Sequence, residues 1–380
     1  MNRRSFLKQS GLVTAGTLLA PAFLQQGWAG NLHYRGKKVV IVQLSGGNDG
    51  LNTIVPFTND IYHRSRPRLA LRADERIAFD PDFAFNKALQ PLANLYDRGY
   101  VSIVNNVGYP NPNRSHFRSM DIWHTASGSD QIWQTGWLGR YLDAYCTHAH
   151  QGLEVDATLS LALKGQRLKG IAMEDPEKFR RAFLTDPVGP LARTSDQLDE
   201  DNQGYLYKIL RSAHDSAEYL AAHHKTHSSS TPFPATTFGQ SLKTIAELIG
   251  GDSETQVYYA SLSGFDTHAQ QRGVHGRLLG EYAEGMAALV SELEQSGHFE
   301  DTLIFTFSEF GRRVQQNASN GTDHGAANNA FLIGKNLKRP GLFNEGPNLD
   351  QLYRGDLVHS VDFRSIYAGL LEDWLGVSSK

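Results

Sequence analysis

Thr302-Leu-Ile-Phe-Thr-Phe-Ser308-Glu309-Phe310-Gly311-Arg312-Arg313, followed by Gly321-Thr-Asp323-His324-Gly325, is the stretch around which this chain is organised. An apolar, β-branched run bounded by polar residues and glycine predicts a buried strand that empties into a loop. Glu309 stands at that exit, presented rather than packed away. A return segment rich in Asn, Ser and Gly brings up Asp323 beside His324, and carboxylate with imidazole is a combination that divalent transition metals accept. The stretch predicts a metal-dependent hydrolase site.

The same pattern recurs on either side. Lys38-Val-Val-Ile-Val-Gln-Leu44 predicts a central parallel strand covered on both faces. It leads into Ser45-Gly46-Gly47-Asn48-Asp49-Gly50-Leu51-Asn52, where glycines permit close backbone approach and Asn48 and Asp49 offer oxygen ligands. A plain turn uses the same residues, but the exit of a first core strand is where open α/β sheets bind ligands. Gln256 to Leu262 predicts another strand, with Asp266 and His268 in its exit loop. A helix from Gly276 to Leu293, apolar at Leu278, Leu279, Tyr282, Met286, Leu289, Val290 and Leu293, then returns the chain to the 302–308 strand. That order predicts a parallel crossover unit.

Val101 to Val104 is a further strand, and Arg114-Ser115-His116-Phe117-Arg118-Ser119-Met120-Asp121-Ile122-Trp123 suits an amphipathic helix. Ser115 falls at its start. A serine N-cap accounts for that position. The same geometry also suits an anion cradle, with Arg118 on the face of Ser115 at a spacing of three and Ser115 as a nucleophile beside a metal. Helices are predicted over Gly204 to His224 and Phe238 to Ile249, a short strand over Ala330 to Ile333, and an amphipathic tail from Val361 to a stop at Gly376. His359 is either a further ligand or a surface or capping histidine. Residues from Trp133 to Met173 mix short apolar runs with Gly-rich turns and say little. His214, His223, His224 and His227 have no cysteine among them and precede a loop, so they do not predict a metal tract.

With 380 residues the chain can bury a full core without disulfides. Its amino terminus, Asn2-Arg3-Arg4-Ser5-Phe6-Leu7-Lys8, precedes an apolar stretch from about Gly11 to Phe23 and a small-x-small pattern, Gly27-Trp28-Ala29. Adjacent arginines before such a stretch predict a twin-arginine export signal over residues 1–29, with 30–380 as one domain. The apolar run is shorter than the roughly 20 residues a membrane span needs. Cleavage takes away Arg3, Arg4 and Lys8 and no acid, which moves the formal charge from -3 to -6. A mildly acidic chain without a basic run offers no footprint for nucleic acid. The single cysteine, Cys146, excludes an internal disulfide and suits a buried structural thiol. No later stretch is long and apolar enough to span a bilayer.

Taken together, the leader, Gln43 to Asn52, Ser115 to Trp123, Gly264-Phe-Asp-Thr-His268, Ser308-Glu-Phe-Gly-Arg312 and Thr322-Asp-His-Gly325 closely resemble an exported bacterial family, domain of unknown function 1501. More distantly, Asp301 to Gly311 resembles the Asp-Thr-apolar-Ser-Asp-His-Gly segment of sulfatases in the alkaline phosphatase superfamily. That resemblance implies an alkaline phosphatase-like three-layer α/β sandwich, a mostly parallel sheet with helices on both faces, and a two-metal hydrolase site. It implies Asp49 as a ligand, Ser115 as nucleophile, Asp266 and His268 on one metal, and Glu309 and His324 on the other, with Asp323 beside them. Glu309-Phe310 departs from the usual Asp-His pair. No Cys or Ser lies in the setting that sulfatases oxidise to formylglycine, which disfavours a sulfatase of that type.

The resulting expectation is an exported hydrolase of phosphate or sulfate esters, small or polymeric, that meets the twin-arginine translocase on its way to the periplasm or beyond. Carboxylate with histidine suits Zn and Mn and, less well, Ca. The alternative is an exported metal-binding or surface-assembly protein without chemistry.

Overall fold

The alternation of β1, Lys38–Ser45, sorts the molecule into layers. Val40, Val42 and Leu44 turn to one side of the sheet and pack with one apolar cluster; Val39 and Ile41 turn to the other and pack with a second. A strand that is apolar on both faces is stable only when both are covered, and helices cover both. The structure is a computed structural model that describes residues 36–184 and 202–379. The leader expected over residues 1–29 and most of the polar stretch before Asn202 lie outside the described residues.

The other strands of the main sheet are β2 (Val101–Gly108), β3 (Gly152–Glu154), β4 (Ile171–Ala172), β5 (Val257–Ser263), β6 (Thr302–Phe307), β7 (Asn328–Ile333), β8 (Gly341–Leu342) and β9 (Val361–Asp362). Their order is β8-β2-β7-β6-β1-β5-β3-β4, with β9 also paired to β2. Every pairing is parallel except those of β7, which runs antiparallel to β2 and β6. The chain is therefore an α/β protein with a mostly parallel central sheet. The principal helices are α1 (His116–Thr125), α2 (Asn202–His224), α3 (Thr237–Gly250), α4 (Gln271–Gln295) and α5 (Phe363–Gly369).

One face is built from α3 and α4, whose Leu242, Ile245, Leu279, Met286 and Leu289 lie against the even residues of β1. The opposite face is aromatic. Trp123 of α1 stacks on Phe307 at 4.6 Å between ring centres and on Phe363 at 4.2 Å, and Trp137 stacks on Tyr367 at 4.0 Å. Such stacks add about 0.5–1.5 kcal/mol each beyond the area they bury, and they fix α1 and α5 against the sheet.

The crossover from β5 through α4 to β6 differs from its simplest form. β5 and β6 flank β1, with Val39 opposite both Val257 and Leu303, so the two strands never touch. The arrangement brings three strand ends together on one edge: Ser45 pairs with Ser263, and Gln43 with Phe307. β7 begins at that edge because it runs the other way. Among the described residues, no helix is long and apolar enough to cross a membrane.

Candidate metal centre

Three loops leave that common edge, and the buried side chain of Arg312 ties them to one another. Its guanidinium donates to the carbonyls of Gly47 (2.7 Å), Thr322 (2.8 Å), Gly46 and Phe265 (2.5 and 2.9 Å), and to Asp266 Oδ1 (2.8 Å). A planar fork of five donors can serve several acceptors at once where lysine cannot. Gly46 and Gly47 allow the approach. Both have positive φ, and a Cβ on Gly46 would meet the Asp266 amide nitrogen at 2.5 Å. Arg312 also pairs with His324 across the short hairpin Arg312–Gln316/Thr322–His324, so the same clamp sets the height of His324 above the sheet.

His116, Asp266 and His324 each turn a ligand atom into the space above this clamp, all within 4.8 Å of one another. Their outer contacts fix which atoms face inward. His116 Nδ1 donates to Glu309 Oε1 at 2.8 Å, and His324 Nδ1 donates to the Arg114 carbonyl at 2.7 Å. With Nδ1 protonated on both rings, the neutral form of each leaves a lone pair on Nε2. A fourth group joins them: His268 Nε2 lies 2.9 Å from His324 Nε2 and 3.0 Å from Asp266 Oδ1, with its Nδ1 3.4 Å from Asp323 Oδ1. Each of the three imidazoles thus has an oxygen acceptor behind it, the arrangement that orients metal-binding histidines.

These residues fit a divalent cation. His116 Nε2 is buried and has no hydrogen-bond partner, its nearest carboxylate oxygen being Asp266 Oδ1 at 3.4 Å. Buried polar atoms are rarely left unpaired, and a cation in front of His116, His324 and Asp266 would satisfy this one. Burial works to raise the Asp266 pKa, yet the hydrogen bond and charge of Arg312, with His324 and His268 beside the carboxyl, outweigh it and hold it at about 2. Asp266 is an anion at any physiological pH. His116 moves the other way: its hydrogen bond to Glu309 is the largest influence and raises its pKa above the ordinary histidine value.

The expected site residues fall into three groups. Asp266, His268 and His324 come together. Glu309 and Asp323 stand behind His116 and His268 as their acceptors. The expectation that Glu309 is presented to the loop is overturned. It is fully buried, and Oε1 also accepts the Gly46 amide at 2.9 Å. Asp49 is elsewhere in the network. It is sealed at 1% exposure, with Oδ2 2.6 Å from Arg66 Nη1 and also bonded by Gln271 Nε2. Asn48 is likewise occupied, its Oδ1 accepting from His275 Nε2 at 2.8 Å. Ser115 is the N-cap residue of α1, exposed, with no capping bond from its side chain. Arg118 does not face it as an anion partner; its Nη2 donates to the carbonyls of Ser129 and Gln131. His359 packs beside Gly108, apart from the cluster.

His116 is the member of the candidate ligand group that sequence reasoning passed over. It lies inside the Ser115 to Trp123 motif, and its signal was an imidazole directly after a helix N-cap, which reads as a helix start unless its partner Glu309 is known. Three histidines of the 214–227 stretch have local partners of their own. His224 pairs with Glu247 at 2.8 Å, His227 with Glu292 at 2.7 Å, and His223 Nδ1 donates to the Tyr219 carbonyl at 2.9 Å. Cys146 is buried, and burial pushes its thiol up to about 11, which suits an inert structural thiol.

The family profile described as "Protein of unknown function (DUF1501)" matches residues 99–367. No match was found among curated proteins. Among solved structures, the chain is similar to a phosphonate monoester hydrolase from Silicibacter pomeroyi, with 10% identity, a TM-score of 0.39, and 90% of this chain and 73% of that one covered. It is similar also to the PsFucS1 sulfatase from a Pseudoalteromonas species, with 11% identity, a TM-score of 0.38, and 88% and 68% covered. A protein in the alkaline phosphatase superfamily from Vibrio parahaemolyticus gives 9% identity, a TM-score of 0.36, and 88% and 71% covered. Likenesses this loose say nothing of what the chain binds or turns over.

Proposed function

The chain belongs to the DUF1501 family, and from the geometry at its sheet edge we propose that it is a metal-dependent hydrolase of phosphate or sulfate esters. The observation that carries the reading is the unpartnered, buried Nε2 of His116 facing Asp266 and His324. Three imidazoles and one carboxylate favour Zn or Mn over Ca, which prefers an all-oxygen shell. A divalent ion held there would stabilise charge developing on a phosphoryl or sulfuryl oxygen and lower the pKa of a nearby hydroxyl.

The chain's own groups supply the rest. Ser115 lies between Arg114, whose carbonyl orients His324, and His116, whose ring is oriented by Glu309. Its hydroxyl, not used as a cap, is the nucleophile of the proposal: Oγ attacks the phosphorus or sulfur centre, the alcohol departs, and water then hydrolyses the seryl ester. The twin-arginine pattern at Arg3 and Arg4 supports export to the periplasm or beyond. Replacing both arginines by lysine should hold a tagged chain in the cytoplasm.

The test is a panel of nitrophenyl phosphate and sulfate esters with the Zn- or Mn-loaded chain. Ser115→Ala should keep the metal and lose turnover; an active Ser115→Ala protein would remove the nucleophile role. A second reading, a metal-binding or surface-assembly protein without chemistry, is favoured by Arg118, which turns to backbone carbonyls instead of the site. Full metal occupancy with no turnover across the panel selects it.

A further inference from the structure

We infer that this centre holds one metal ion, and that the guanidinium of Arg66 is the built-in cation at Asp49, which was expected as a ligand in a two-metal site. The inference rests on the hydrolase reading for its first ion. Arg66 is fully buried, and each nitrogen of its guanidinium is directed: Nη1 to Asp49 Oδ2 at 2.6 Å and Asn52 Oδ1 at 3.0 Å, Nε to the Val314 carbonyl at 2.8 Å, and Nη2 to the Arg313 carbonyl at 2.8 Å. Four acceptors from two distant stretches, 49–52 and 313–314, aim at one planar cation, which matches guanidinium geometry and not the shell of a small ion.

Asp49 has one oxygen to spare, since Oδ1 is buried without a hydrogen bond. One oxygen does not make a site. Among the described residues, His116, Asp266 and His324 are the only group of three or more ligand side chains close enough to share an ion. The imidazole nearest this network, His275, directs Nε2 to Asn48 Oδ1 at 2.8 Å. Gln271 Nε2 already bonds Asp49 Oδ2, and Gln271 Oε1 accepts from Thr322 Oγ1 at 2.6 Å. A divalent ion on Asp49 would also be repelled by the guanidinium beside it, at short range and away from water, where charges interact most strongly. Glu309, the other carboxylate expected on an ion, is turned to the Gly46 amide and His116. Asp49 thus has its charge balanced by the chain itself.

The test is metal stoichiometry, which does not depend on turnover. The purified full chain is loaded with excess Zn or Mn, freed of unbound ion by gel filtration, and analysed for metal per chain. One equivalent is expected. Two equivalents overturn the inference and leave the hydrolase reading standing; none overturns both. Asp49→Asn should keep the single equivalent, with affinity within about threefold of the parent, whereas Asp266→Asn should bind at least tenfold more weakly, the scale of loss seen around metal sites. An Asp49→Asn protein that folds and loses its metal would also overturn the inference. If that variant does not fold, the stoichiometry of the unaltered chain decides.

Discussion

His116 and Glu309, 193 residues apart, meet at the edge of the sheet with Nδ1 and Oε1 at 2.8 Å. The carboxylate is wholly buried and is itself held by the Gly46 amide, so the imidazole is the movable member and the acid its fixed reference. Glu309→Gln keeps the size and one acceptor but removes the charge behind the ring. It should fold and bind Zn about 10–100-fold more weakly, the usual cost of losing an outer-shell partner. Competition against a chromophoric chelator measures this, and an unchanged affinity would place the ion away from His116.

The proposed ligands make a sharper contrast between two histidines and a third. His116→Ala and His324→Ala should each lose the bound ion at micromolar metal. His359→Ala should retain it, because His359 packs beside Gly108 and shares no atom with the cluster. Metal analysis of the three variants in parallel checks the claim. Retention by His116→Ala would sink it.

Arg312 offers a test of how the loops are held. It is buried at 1% exposure and donates to four carbonyls and Asp266. Arg312→Met leaves those acceptors unpaired, and each buried orphan costs about 1–3 kcal/mol. A loss of about 3 kcal/mol or more in urea unfolding is expected, together with loss of metal. Arg313→Met, at a half-exposed neighbour, should change stability by less than about 1 kcal/mol.

How much of this was legible depended on the length of the signal. β1 and β6 are continuous apolar runs stopped by glycine or polar residues, and α3 and α4 carry several turns of apolar spacing. β3 and β4, three and two residues long, are too short to show a period and exist because β5 offers an edge to β3, which in turn offers one to β4. The antiparallel direction of β7 was likewise hidden, since a run of apolar residues says nothing of which way it runs. At the site, the carboxylates and imidazoles at the strand exits were legible as residue types. Which side chains turn into the shared space and which stand behind them was not legible. Whether Glu309 ligates or supports is decided by the Gly46 amide, which lies 263 residues away in sequence. Asp49 is the same lesson: only the fold brings Arg66 to it.

The Asp49–Arg66 pair also predicts a direction for acid unfolding. Burial alone would raise the Asp49 pKa, but the Arg66 charge and hydrogen bond outweigh it and leave the folded value below the ordinary 3.8. A carboxyl whose pKa is depressed on folding binds protons more readily in the unfolded chain. Its contribution to stability is therefore fully present above pH 3.8 and is lost as pH falls from there through the folded value. Asp49→Asn removes the titration along with the charge, so the gap in unfolding free energy between parent and variant should be constant from pH 5 to 7 and narrow below about pH 4. Urea unfolding of the metal-free proteins across that range measures the gap. If it held constant down to pH 2.5, Asp49 would not be the charged partner of Arg66 in the folded protein.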